Sequence, residues 1–129
     1  QVRIVWVHLR EDEARQRIRR QWARVFEAVD IVLMPTSVSP AFAHDASQPR
    51  DARVVEVGTQ VYRYLELFVW IGIASLAGLP ALSFPVLRWQ GLPLGAQAMA
   101  PWLGDRTALA FARAWETELG GFEAPAGWD

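Results

Sequence analysis

A chain of 129 residues with 52% hydrophobic and 21% charged side chains has the size and composition of one packed domain, which excludes a disordered segment. A formal net charge of -1 gives no long-range attraction toward nucleic acid. All 13 basic residues are Arg, and with Lys and Cys both absent the chain offers neither an ammonium proton relay nor a thiolate or disulfide.

In chain order, "QVRIVWVHLREDEARQ" lacks the basic start, apolar middle and small-residue cleavage site of a signal peptide, so a cytoplasmic location is expected. "VRIVWV" alternates well enough for a strand. From about Leu9 to Val29 the residues Ala14, Ile18, Trp22, Val25, Phe26 and Val29 recur at helical spacing and predict an amphipathic helix. Glu11, Asp12 and Glu13 precede Arg15, Arg17, Arg19, Arg20 and Arg24, an order that suits the helix dipole; the arginines read as a solvated face rather than a phosphate site. Ile31 to Met34 is a short apolar run of the kind found in buried strands, and Pro35 ends it. The loop that follows, rich in Pro, Ser and Ala, leaves the end of that strand, where α/β proteins place ligand contacts.

"ARVVEVG" predicts a short strand closed by Gly58, and Thr59 to Leu76 predicts a largely buried helix through Val61, Leu65, Phe68, Val69, Ile73 and Leu76. Leu67 to Leu87 carries no charge, yet Pro80 and Pro85 with Gly72 and Gly78 argue against a membrane span. Gly78 is placed to cap the helix in a left-handed conformation, and Pro80 prevents its resumption. A strand from Ala81 to Val86, a loop "LRWQGLP" and a strand from Leu94 to Ala100 are expected to pair antiparallel. A last helix, Thr107 to Leu119, carries Leu109, Ala112, Trp115 and Glu116 at helical spacing and stops at Gly120-Gly121; "FEAPAGWD" is loop. The prediction is one α/β unit over residues 1–129, a mixed sheet covered by helices.

Taken in order, "DIVLMPTSVSPAFAHD", "YRYLELFVW", "LAGLPALSFPV", "GLPLGAQAMAPWLGDRTALAFARAWE" and "GFEAP" resemble the C-terminal part of an amidase-signature enzyme. The most specific portion is Gly78-Leu79-Pro80-Ala81 followed by Gly91-Leu92-Pro93-x-Gly95-x-Gln97. Members of this family hydrolyse carboxylic amides and include glutamine amidotransferase subunits used in tRNA charging. The resemblance implies the C-terminal portion of that fold, no cofactor, a small-molecule amide as substrate of the intact enzyme, and hydrolysis through a seryl acyl-enzyme. Two positions depart from the family's pattern. Ser75 stands where many members have Asn, and Leu87 stands where they have Gly, so a left-handed turn there would cost about 1–2 kcal/mol.

The family's nucleophilic serine, second serine and lysine belong to a Gly/Ser-rich region that this sequence does not contain, and a chain without Lys cannot supply the last of them. The expectation is therefore an amidase segment, inactive alone, that contributes core strands and part of the pocket wall. Pro35 and Thr36, at a strand end, and Trp70, on the apolar helix, are the candidate pocket residues, with core the first reading for Trp70 and pocket the second. Ser37, Ser39, His44 and Asp45 are the residue types of a triad, but they lack a nucleophile elbow and read as a polar loop. His8 and His44 form no metal-binding pattern. Gln97, polar within the apolar "LGAQAMA", must find a partner: neighbouring backbone first, substrate second. With the rest of the fold missing, the strands would be left uncovered, so self-association or pairing with the remaining amidase segment is expected. The competing class is a non-catalytic association module.

Overall fold

The computed structural model describes residues 2–124 and 127, with side chains from residue 10 onward. The first helix, α1, runs Val2–Val25 and so includes "VRIVWV", which forms no strand. Branched side chains in a helix cost only about half a kcal/mol per residue against Ala, a preference that a long helix continuing from them overrides. With α1 beginning at Val2, the acids at 11–13 lie well inside it and no acid occupies the first turn, so they do not complement the dipole. The helix also ends earlier than its pattern predicts: residues 26–28 form a turn in which the Phe26 N–H donates to the Trp22 carbonyl at 3.0 Å.

Strand β1, Val32–Pro35, is followed by a long loop, a hairpin of β2, Val54–Val57, and β3, Gln60–Arg63, and a 3-10 turn, Tyr64–Phe68. Helix α2 occupies only Val69–Ala77. The helix expected from Thr59 is thus a strand, a 3-10 turn and a short helix, and the apolar residues meant for its buried stripe are exposed: Val61 by 62% and Leu65 by 54%. Gly58, at φ 61°, occupies the first position of a two-residue turn between Val57 and Gln60, which closes a hairpin where the helical pattern was expected to begin.

Strands β4, Ala81–Trp89, and β5, Leu92–Met99, form a second hairpin. It is longer than expected because Gln90 and Gly91, both at positive φ, make a two-residue turn whose twist matches the strands. Strand β1 adds to the far side of β5, giving the order β1-β5-β4, with every neighbour antiparallel. The register shifts between Pro85 and Leu87, leaving Val86 as an extra residue opposite Gly95 and Leu94. Leu87 is not left-handed; the bulge absorbs the missing glycine.

The pleat directs alternate residues to opposite faces, and each face has its own cover. Met34 and Met99 join Ala74, Ala77 and Leu79 in a core against which Ile18 and Trp22 of α1, Phe26 of the turn that follows it, and Trp70 and Ile73 of α2 pack. On the other face Phe84 is buried beneath α3, Asp105–Leu119, where it meets Phe111 and Trp115 edge to face at centroid distances of 5.3 and 4.7 Å. The indole N–H of Trp115 donates to the Pro85 carbonyl at 2.9 Å. The buried stripe of α3 therefore runs through Ala108, Phe111 and Trp115, and Leu109, expected inside, is 58% exposed.

Gly78, at φ 64°, ends α2 as expected. Its N–H donates to the Ser75 carbonyl and that of Leu79 to the Ala74 carbonyl, the paired bonds of a Schellman cap. Arg19 leaves the polar face assigned to it and closes the same helix end: Nε donates to the Ala77 carbonyl at 2.9 Å and the guanidinium lies 3.5 Å from the Trp102 ring centroid. A cation at a helix C-terminus is electrostatically favoured, and the indole face holds it there.

Candidate functional site

Pro35 terminates β1 because it cannot donate to a further ladder bond, and the chain turns away from the sheet. The loop that results and the early part of β5 enclose a cleft of about 350 Å³ lined by residues 35–41 and 93–95, at the small end of the range for ligand sites. Pro35 and Thr36 thus lie together in one concavity. Its lining contains no ionisable side chain, the polar groups being hydroxyls and backbone. The Thr36 hydroxyl donates to the Gly95 carbonyl at 3.4 Å, joining the two walls. The wall from Pro93 to Gly95 is absent from the sequence expectation; it faces the loop only because β1 pairs with β5, setting Pro35 opposite Ala96 across 61 positions of sequence, a pairing that no local pattern announces.

The serines are committed to the loop's own shape. Ser37 Oγ accepts from the Ser39 N–H at 3.3 Å and Ser39 Oγ donates to the Pro40 carbonyl at 2.9 Å. Neither contact activates a nucleophile, since neither brings a base to the hydroxyl. His44 and Asp45 line a separate cleft of about 310 Å³ with Phe42, Arg53, Val55 and Tyr64. Asp45 accepts from the Ser47 hydroxyl and from its N–H, an Asx turn rather than an imidazole partnership. The hydroxyl bond first, then the N–H bond, hold the Asp45 carboxyl below its ordinary value, slight desolvation opposing and Arg53 assisting.

Trp70 is half-buried against the core cluster on α2 and is not part of the lining of the Thr36 cleft. Gln97 is 3% exposed, and its Nε2 donates to the Pro35 carbonyl at 2.9 Å, the backbone partner expected for it. Ser75 is exposed. Among the described residues no three His, Asp or Glu side chains gather as metal ligands, and no helix is long and apolar enough to cross a membrane. The side chain of His8 lies outside the described residues.

Residues 5–109 match the model of the Amidase family. The chain belongs to that family. Among curated amidase relatives, the A subunit of the Thermus thermophilus glutamyl-tRNA(Gln) amidotransferase is 38% identical over 117 residues, covering 88% of this chain and 22% of that protein. Its Maricaulis maris counterpart is 34% identical over 122 residues, covering 94% and 23% respectively. The crystal structure of the Thermotoga maritima counterpart superposes with a TM-score of 0.65 at 30% identity, covering 88% of this chain and 24% of that one. A crystal structure of an amidase superposes with a TM-score of 0.66 at 27% identity, covering 82% and 23%. This amidase segment spans about a fifth of the length of the curated relatives it matches. Its α/β architecture is that of the amidase-signature fold.

Proposed function

We propose that this chain is the C-terminal segment of an amidase that cleaves a small carboxylic amide through a seryl acyl-enzyme, and that it is inactive without the groups carried elsewhere in such an enzyme. The cleft at the end of β1 carries the reading: it is concave, contains hydroxyl and carbonyl groups, and has no ionisable lining. An uncharged amide enters such a site without the desolvation cost of an unpaired charge. In the acyl-enzyme route a serine Oγ attacks the amide carbon, the C–N bond breaks as the amine leaves with a proton, and water then hydrolyses the ester. This chain lacks Lys, and its cleft serines are held by backbone groups, so the nucleophile and proton relay come from outside it. In this reading Pro35 and Thr36 form the wall facing the acyl group, while Trp70 packs against the core cluster that includes Met34, the residue before Pro35. The setting is cytoplasmic, and no cofactor takes part in this chemistry.

The test is ammonia release from simple aliphatic and aromatic amides by the chain alone and by the chain mixed with the N-terminal portion of one of its amidotransferase relatives. The chain alone is expected to equal buffer, and the mixture to turn over amides, with Thr36→Trp suppressing that activity by filling the cleft. Turnover by the chain alone that disappears in Ser37→Ala or Ser39→Ala would overturn the reading.

A second reading, an association module, is favoured by one observation: large apolar side chains remain exposed on several elements, including Leu33 at 51%, Leu103 at 75% and Leu119 at 68%. The two readings meet if those residues bind the rest of the amidase or a second copy of the chain.

A further inference from the structure

Gln97 stands out because an amide side chain is an expensive occupant of a strand interior unless its donors are used. We propose that Gln97 is the positioning residue of the cleft: its amide fixes the Pro35 carbonyl and thereby sets where the substrate-facing loop starts and how far it stands from β5. The functional part of this inference rests on the amidase reading of the cleft given above.

The sheet alone holds this loop weakly. β1 is only four residues long, and its last residue, Pro35, has no N–H to give. The Thr36 hydroxyl reaches Gly95 at 3.4 Å and is exposed, so water competes for it. The bonds among Ser37, Ser39 and Pro40 fold the loop on itself without tying it to the sheet. The bond from Gln97 to Pro35, at 2.9 Å and made by a buried side chain to the carbonyl of an exposed residue, is a part-buried tie, better shielded from solvent than the Thr36 bond. It fixes the orientation of the Pro35 carbonyl, hence the backbone torsion that launches Thr36. Gln97 also lies two residues beyond Gly95 on β5, so one side chain links the strand that forms one wall to the loop that forms the other.

The test replaces the amide in two ways in the 129-residue chain and follows the backbone amide signals of Thr36, Ser37, Val38, Ser39 and Ala41 by NMR, with the Trp115 indole N–H signal, bonded to Pro85, reporting that α3 still covers Phe84. Gln97→Met keeps the volume and removes the donor; those amide signals are expected to shift and broaden while Trp115 stays native-like. Gln97→Glu makes the tie depend on a proton. Its carboxyl, buried beside a carbonyl, titrates above the ordinary Glu range. Protonated it donates to Pro35, and ionised it repels it. The loop signals are therefore expected to be native-like at low pH and displaced at high pH, a titration not shown by the native chain in the same series. A residue that merely filled space would not produce that pH profile. Loop signals in Gln97→Met that overlay the native spectrum, or a Gln97→Glu loop that follows the native pH series, would overturn the proposal. If both variants unfold, the native chain still decides it: slowed exchange of the Gln97 side-chain amide protons and a through-space contact from them to the Thr36 Hα, which lies on the same side of the trans peptide as the Pro35 carbonyl, are expected, and free exchange without that contact overturns it. Neither result depends on catalysis, so a failure here leaves the amidase reading standing, and a failure of the ammonia assay leaves the tie standing.

Discussion

At Gly78 two requirements coincide. The residue is left-handed, and a Cβ built there would lie 2.7 Å from Arg19 Nη2. Gly78→Ala is expected to cost about 1–2 kcal/mol for the backbone conformation, with a further loss when the guanidinium shifts off Trp102. Chemical denaturation of Gly78→Ala, Arg19→Ala and the double variant separates the two: the glycine substitution should cost less when Arg19 is already absent, and strict additivity would show that the guanidinium does not feel the new methyl. Asp45 gives a second prediction at this scale. Its carboxyl is held low by Ser47, so the loop order it supports is complete above the ordinary carboxylate value and is lost as pH falls through the lowered one. A carbon-detected NMR titration should give Asp45 a midpoint below that of an unstructured Asp, and Ser47→Ala should raise it.

The elements differ in how much of them a reader of the sequence can obtain. Gly78-Leu79-Pro80 announces a helix end because only one residue type sits comfortably in that conformation and another cannot continue a helix, both local facts. The stretch from Gly58 to Phe68 misleads because Val61, Leu65 and Phe68 have helical spacing while a two-residue turn at Gly58 commits the chain to a hairpin first. The buried face of α3 differs from its pattern for another reason: Phe84, distant in sequence, selects Phe111 and Trp115 as its partners over the equally apolar Leu109. The cleft is half legible, since Pro35 and Thr36 mark a strand end, but its opposite wall depends on a strand pairing that spans much of the chain. The aromatic trio gives the prediction for this scale. Phe84→Ala should destabilise by about 3–5 kcal/mol and Trp115→Phe, which removes the bond to Pro85, by about 1 kcal/mol. Thermal or denaturant unfolding checks both, and equal costs would mean that the ring contacts contribute little.

For the whole molecule, the covering of Phe84 by α3 corrects part of an expectation: the β4 strand is not bare, with Phe84 at 6% exposure, although Val86 remains at 41%. Among the described residues, what stays open are the outer edges of β1 and β4 and the apolar residues beyond the reach of α3, Leu33 among them at 51%. Open strands and exposed leucines are templates for pairing. Sedimentation at micromolar concentration is expected to show a species larger than a monomer, reduced in Leu33→Glu; a native chain that stays monomeric and ignores an added N-terminal amidase portion would show that this surface has no partner among amidase segments.

The strand order has a consequence for assembly during synthesis. β5, the middle strand, is the last of the three to be made, and both of its neighbours precede it. Until it emerges from the ribosome, β1 has no strand to hydrogen-bond with, and the apolar side of α1 has no Met99 to close on. The three-stranded sheet is therefore incomplete until β5 is made, and the loop that forms the cleft waits about 60 residues for its second wall, several seconds at elongation rates of roughly 5–20 residues per second. A stop codon anywhere before Leu92 would leave β1 without the strand it pairs with, although α1 could still pack against α2.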